Sequence, residues 1–227
     1  MVLNIETFSC SCICESYNID GYILACNDLS YQFQSGTYVL QGEIDCGAWA
    51  FVSAISEYCK HKKIFFPESK IYVNHELQEE KAGLLACYIH QKPTKKSHFD
   101  TLYHAIERAV KKYHFNMTAN ELISAFGIPS EYRNRKLYTL GKYYWVYIAM
   151  EGLIKGYRIF TTTWIGHYGF EDLILKKIAN ALLKFDCIFI IPSSVNNKFS
   201  FPAVTVPMPL LFSNETIRKM YLEDIFK

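Results

Sequence analysis

Two stretches of this 227-residue chain have residue types and spacings that could do chemistry: an amino-terminal run of thiols and a loop bounded by glycines. Cys10, Cys12 and Cys14 alternate with Ser11 and Ile13, and on a strand that period of two sets three thiols on one face. With Cys26 as a fourth ligand they would hold a soft metal. Zinc sites, however, pair their ligands across tight turns as C-x₂₋₄-C, and no second pair of that kind follows. A strand with small thiol side chains packed as modest hydrophobes is the plainer reading, and no metal is assigned.

The second stretch is Gly42-Glu-Ile-Asp-Cys-Gly47, which follows TYVLQ and precedes AWAFVSAISEYCKHK. A strand, a loop of form G-x-x-x-x-G and a helix make the frame of a phosphate-binding loop, whose backbone N–H groups and helix N-terminus cradle anions. The next two residues should be a lysine for the phosphates and a hydroxyl for Mg²⁺. They are Ala48 and Trp49, and Glu43 and Asp45 put negative charge where the anion would lie. The loop alone disfavours a triphosphate.

The elements that must position these residues can be read from periodicity. LNIETFSCSCIC, YILAC, SYQFQ and TYVLQ read as strands, with Ser35-Gly36 as a turn before the last. Phe51, Ala54, Ile55 and Tyr58 recur at helical spacing after the loop, completing a βα unit. KIYVN and LLACYIH are strand-like, and 99–115 reads as an amphipathic helix. TANELISAF opens a second helix with Thr118 as N-cap and Glu121 three residues on, a capping box. A helix around 145–153, a strand at 158–162 and a helix at 171–183 follow. The continuous apolar run 187–191 suggests a strand buried on both faces in a parallel sheet, and a short helix is expected from Asn214.

Composition narrows the classes. Half of the residues are hydrophobic and 20% are charged, which suits a large buried core and excludes disorder. A net charge of +2 gives no global attraction to nucleic acid. No apolar run is long enough to span a membrane, and the start lacks a secretory signal's basic and apolar regions. A cytoplasmic protein with reduced thiols is expected.

In order and spacing, the segment from about Tyr31 to Asn197 resembles the nucleotide-binding subunit of ABC transporters. LLACYIHQ ends in Gln91, where that family has a strand ending in glutamine. YTLGKYYW at 138–145 stands at the LSGGE-type signature and keeps only Thr139 and Gly141. Thr163 and Trp164 occupy the places of the two Walker B carboxylates, and Ser193 that of the switch histidine. The intervals Gly47 to Gln91, Gly141 to Thr163 and Thr163 to Ser193 are 44, 22 and 30 positions, near the family's own. The resemblance implies an α/β fold: a mostly parallel P-loop ATPase-like core, an antiparallel β-rich amino-terminal part and a helical insertion. It implies one domain over 1–227, with the β-rich part and loop in 1–96, the helical part in 97–155 and the rest of the core in 156–227.

Each departure removes a named function: the phosphate cation and Mg²⁺ hydroxyl at 48 and 49, metal support and general base at 163 and 164, and the γ-phosphate sensor at 193. The resemblance therefore implies a non-hydrolysing relative with no catalytic residue and no resident cofactor. Trp49 is expected to fill the vacated phosphate pocket; stacking of a base on Trp49 or on a tyrosine is the one route left to ATP. Its partners would be an active ABC ATPase subunit, a membrane permease or both, as a homo- or heterodimer at the cytoplasmic membrane face. Thr139 and Gly141 would be offered to a partner's nucleotide. Tyr143, Tyr144 and Trp145 there are expected to pack or to meet a partner.

Two alternatives stand beside this. A nucleotide-independent scaffold would use the same frame to dock proteins. QGEIDCGAWAF also resembles the nucleophile region of papain-like cysteine proteases, but Ala48 holds the cysteine's place. Cys46 would have to serve, with His75 or His167 as base.

Overall fold

Alternation of Leu3 and Ile5, both buried, with Asn4 and Glu6 starts a strand, β1 (Val2–Ile13), that lies across the amino-terminal layer. At Thr7 the backbone turns to φ 46° and the register with the neighbouring strand shifts on either side of Phe8. This bulge changes the parity, so Phe8 rather than Thr7 enters the core. The computed structural model describes residues 1–13, 23–42, 46–56, 63–65, 69–78, 85–89, 100–165 and 170–208. Gln91, Cys14, His167, Glu43, Asp45 and the helix expected from Asn214 lie outside them.

β1 pairs antiparallel along one edge with β2 (Ile23–Gln34). Its other edge is shared by β5 (Lys70–Val73), opposite residues 3–6, and β4 (Lys63–Phe65), opposite residues 10–12; β6 (Glu76–Leu77) extends the sheet beyond β5. YILAC and SYQFQ, expected as two strands, are one: pairing with β1 on both sides of Asn27 and Asp28 carries the strand through the register shift at these two residues.

The second sheet is parallel throughout, in the order β10 (Val204–Pro207), β3 (Gly36–Gly42), β9 (Ile188–Ser194), β8 (Ile159–Thr162), β7 (Ala86–Ile89). β9 pairs parallel on both sides, as its unbroken apolar run predicted. β10 was not legible: only the hydrogen bonds to β3 make 204–207 a strand, and Pro207, which has no N–H to donate, sits at the sheet edge.

Helix α1 (Ala48–Ala54) lies between the two sheets with all seven residues buried. At about 10 Å it is too short to be stable alone, so packing holds it. The helical spacing through Tyr58 overstated its length. Ile55 caps the helix, its carbonyl accepts the N–H groups of Leu85 and Ala86, and Ser56 bridges to Ala86, so β7 recruits the chain into a β contact. On the other face of the parallel sheet, α2 (Leu102–Tyr113), α3 (Ala119–Ala125), α4 (Tyr143–Ile154) and α5 (Phe170–Leu183) share a core with Ile89, Phe160, Phe189 and Ile191. The capping box of α3 forms as expected: Glu121 N–H donates to Thr118 Oγ1 (3.3 Å), and Thr118 N–H donates back to Glu121 Oε2 (2.8 Å).

Candidate functional site

In a parallel sheet the strand ends that point the same way form one carboxyl edge, where ligands of α/β folds bind. Most of the sequence-selected residues converge on this edge. Register sets Gln41 opposite Ser193 and Gly42 opposite Ser194, and Thr163 and Trp164 directly follow the last residue of β8. Ile165 then makes a parallel bridge to Ser193.

Gly42 is required by the close approach of its neighbours. A Cβ built there would lie 2.6 Å from Cys46 Sγ and 2.9 Å from the Met208 carbonyl oxygen. Gly47 caps α1 in the left-handed region (φ 86°) with no side-chain cap, a conformation that favours glycine. Ala48 is fully buried, and Trp49 is 4% exposed within the core that α1 shares with both sheets.

Four side chains of this edge, Gln41, Thr162, Ser193 and Asn197, bond within the protein. Ser193 Oγ donates to the Ile165 carbonyl (3.3 Å) and accepts from Asn197 Nδ2 (2.8 Å), which also donates to the Ile165 carbonyl (2.8 Å). From the neighbouring strand, Gln41 Nε2 donates to the carbonyls of Ser194 (3.2 Å), Val195 (2.9 Å) and Asn197 (3.0 Å). Thr162 Oγ1 donates to the Thr163 carbonyl (3.0 Å), and half-buried Trp164 packs on the α1 core. Sequence reasoning missed Gln41 and Asn197. No spacing rule links residues 156 positions apart.

Thr139 and Gly141 stand in the helical part, in the 3₁₀ turn 137–139 and the loop before α4. Both are exposed, and Thr139 Oγ1 donates locally to the Lys136 carbonyl (2.7 Å). The aromatic run beside them mostly packs inward: Tyr144 and Trp145 are buried in the helical core, and half-buried Tyr143 meets Tyr132 with its ring tilted by 43°.

The thiol-enzyme geometry does not form with His75. Cys46 is fully buried after the carboxyl end of β3. His75 is exposed in the β5–β6 turn, beside Asn74, which bonds Val2 opposite the end of β2 that leads into β3. The two residues therefore lie toward opposite ends of a seven-residue strand. Of the amino-terminal thiols, Cys10 pairs with Cys26 across the β1–β2 ladder. Burial, then the nearby Cys46, raises the Cys26 thiol to about 12, which opposes the thiolate a metal needs.

The fold has counterparts among solved structures. A putative ABC transporter ATP-binding protein from Pyrococcus furiosus superposes with a TM-score of 0.60 at 14% identity, over 92% of this chain and 98% of that one. A nucleotide-free ATP-binding cassette from an ABC transporter gives 0.59 at 10% identity, over 98% and 95%. The chain has the fold of an ABC ATP-binding domain. Another ABC-type structure, cbiO1 from Clostridium perfringens, part of the ABC transporter complex cbiONQ, gives 0.59 at 11% identity over 98% and 91%. No family model and no curated protein matches the sequence.

The ABC fold implies Mg-ATP at this edge, and the donor set here does not fit it. The edge presents a buried alanine and indole after Gly47, a threonine and an indole after β8, and a serine whose oxygen is held by Asn197 and Ile165. It carries neither a cation for phosphate nor a carboxylate for a hydrated metal at those positions.

Proposed function

We propose that this chain is a catalytically silent ABC-type nucleotide-binding subunit that pairs with an active ATPase subunit, a membrane permease of a transport system, or both. The observation that carries the reading is the carboxyl edge itself. Five positions that would serve phosphate, metal, water and γ-phosphate in an active domain are Ala48, Trp49, Thr163, Trp164 and Ser193. Ser193 spends its hydrogen bonds on the protein, and the Trp49 ring, almost wholly covered, offers no open face to a base. Nucleotide is not expected as a resident cofactor. A role at the cytoplasmic face of a membrane follows from the same reading; no helix among the described residues is long and apolar enough to cross one.

Calorimetry of the purified chain with Mg-ATP and with a non-hydrolysable analogue tests this, alongside phosphate release. The expected result is no binding heat and no turnover, with a stable complex formed on mixing with the partner ATPase subunit. Turnover well above background that survives Ala48→Asp would sink the reading.

A further inference from the structure

The first turn of α2 is capped by the backbone of another segment. The N–H groups of Leu102 and Tyr103 donate to the carbonyls of Arg135 and Arg133, each at 3.0 Å, and Leu137 N–H donates to the Asp100 carbonyl (2.9 Å). Thr101 bridges Lys136 in the antiparallel sense. Residues 133–137 are thereby a rail bonded to the helix start, and the first two N–H groups of α2 are taken by its main-chain carbonyls, while His104 N–H goes to the Thr101 hydroxyl.

Three side chains on that rail are cationic, and two of them lie over tyrosine rings. The Arg135 guanidinium lies 4.4 Å from the centroid of Tyr132, which packs on Tyr143 at 4.4 Å, and Arg133 lies 5.7 Å from the ring of Tyr103. Three nearby cations have carboxylate partners, Arg108 with Asp100, Lys111 with Glu107 and Lys155 with Glu151, whereas Lys112 lies singly over the Tyr113 ring at 5.1 Å, at the far end of α2. Among the described residues, Arg133, Arg135 and Lys136 form no ion pair. Arg135 and Lys136 are exposed, and Tyr138, 45% exposed, continues the strip.

We propose that Arg133, Arg135 and Lys136 form a docking strip for an acidic segment of a protein partner. A guanidinium stacked on a tyrosine keeps its N–H edge outward and has already lost much of its rotamer freedom, so it meets a carboxylate in bidentate geometry at low entropic cost. Arginine beside tyrosine is the composition of protein interface hot spots. A chain with a net charge of +2 lacks the broad cationic field that nucleic-acid binding needs. The strip is independent of the nucleotide reading, because it uses no residue of the carboxyl edge.

Fluorescence anisotropy of a labelled oligoglutamate peptide against the full chain at low ionic strength tests the proposal. Arg133→Gln with Arg135→Gln should weaken binding about tenfold, the scale of losing two preorganised charge-assisted pairs. Lys111→Gln with Lys112→Gln removes equal charge from the far end of α2 and should change affinity less than about twofold. Because backbone atoms hold the rail, the glutamine variants keep the fold, checked by unchanged circular dichroism. Equal weakening by both pairs, or by neither, overturns the strip. So does tighter arginine-dependent binding to phosphatidylserine vesicles than to the peptide.

Discussion

The side-chain amide of Gln41, near the carboxyl end of strand β3, donates to the Val195 carbonyl at 2.9 Å, tying that strand to the loop beyond its neighbour β9. With Asn197 reaching back to Ser193 and Ile165, side-chain amides join the chain beyond β3, β8 and β9 at this edge. A loop held this way has its geometry without a ligand.

Gln41→Ala removes the donor to three carbonyls. Water reaches part of that loop, so the expected loss is about 1 kcal/mol rather than the full cost of buried orphans. Urea denaturation reads the loss. Hydrogen exchange should accelerate at the Asn197 amide, which donates to the Ser194 carbonyl, while α4 amides stay protected.

Gly42→Ala forces a methyl against Cys46 and the Met208 carbonyl, at 2.6 and 2.9 Å in the unrelaxed geometry. Overpacking of this kind costs about 1–3 kcal/mol. Adding Cys46→Gly should recover only part of it, since the carbonyl belongs to the backbone. Full recovery in chemical denaturation would show that the thiol alone makes the clash.

Stability should fall at alkaline pH. The Cys26 thiol is raised from 9.0 to about 12 by burial, and Cys187 to about 11, also chiefly by burial. The folded state therefore holds these protons more tightly than the unfolded chain. That contribution is complete below pH 9, is lost as pH rises through the folded values, and favours no thiolate near neutrality. Melting temperatures measured from pH 8 to 11 should decline less steeply in Cys26→Ala. An unchanged slope would remove this thiol from the account.

Thr118→Ala deletes the hydroxyl half of the α3 capping box and should cost about 1 kcal/mol. Thr118 also holds the Glu121 carboxyl below its ordinary range, first through its backbone N–H and then through its hydroxyl. In the variant, the Glu121 titration followed by NMR should move upward toward the ordinary value. A titration that stays where it was would mean that the hydroxyl contributes nothing to the shift.

The parts of the fold that were legible rest on local rules. The apolar run of β9 announced burial on both faces, Thr118 and Glu121 announced a helix start, and the glycines at 42 and 47 announced a turn between strand and helix. What escaped was settled by partners far away in the chain. β10 exists through its bonds to β3, α1 stops where β7 captures Ile55 and Ser56, and Tyr144 and Trp145 turn inward because α4 is covered by α2, α5 and β7.

For the candidate site the division is similar. Residue identity alone carries the expectation of a silent site: an alanine at 48, a threonine at 163 and an indole at 164 stand where the resemblance places a phosphate-binding cation and two carboxylates. Tertiary structure alone decided what the edge does instead. The bonds from Gln41 to the 194–197 loop, from Asn197 to Ser193, and from the arginine rail to α2 join segments with no sequence spacing in common. Such bonds form only after the sheet and helices have brought their backbones together, because a side-chain amide has no preference for a distant carbonyl until packing sets the distance and excludes competing water.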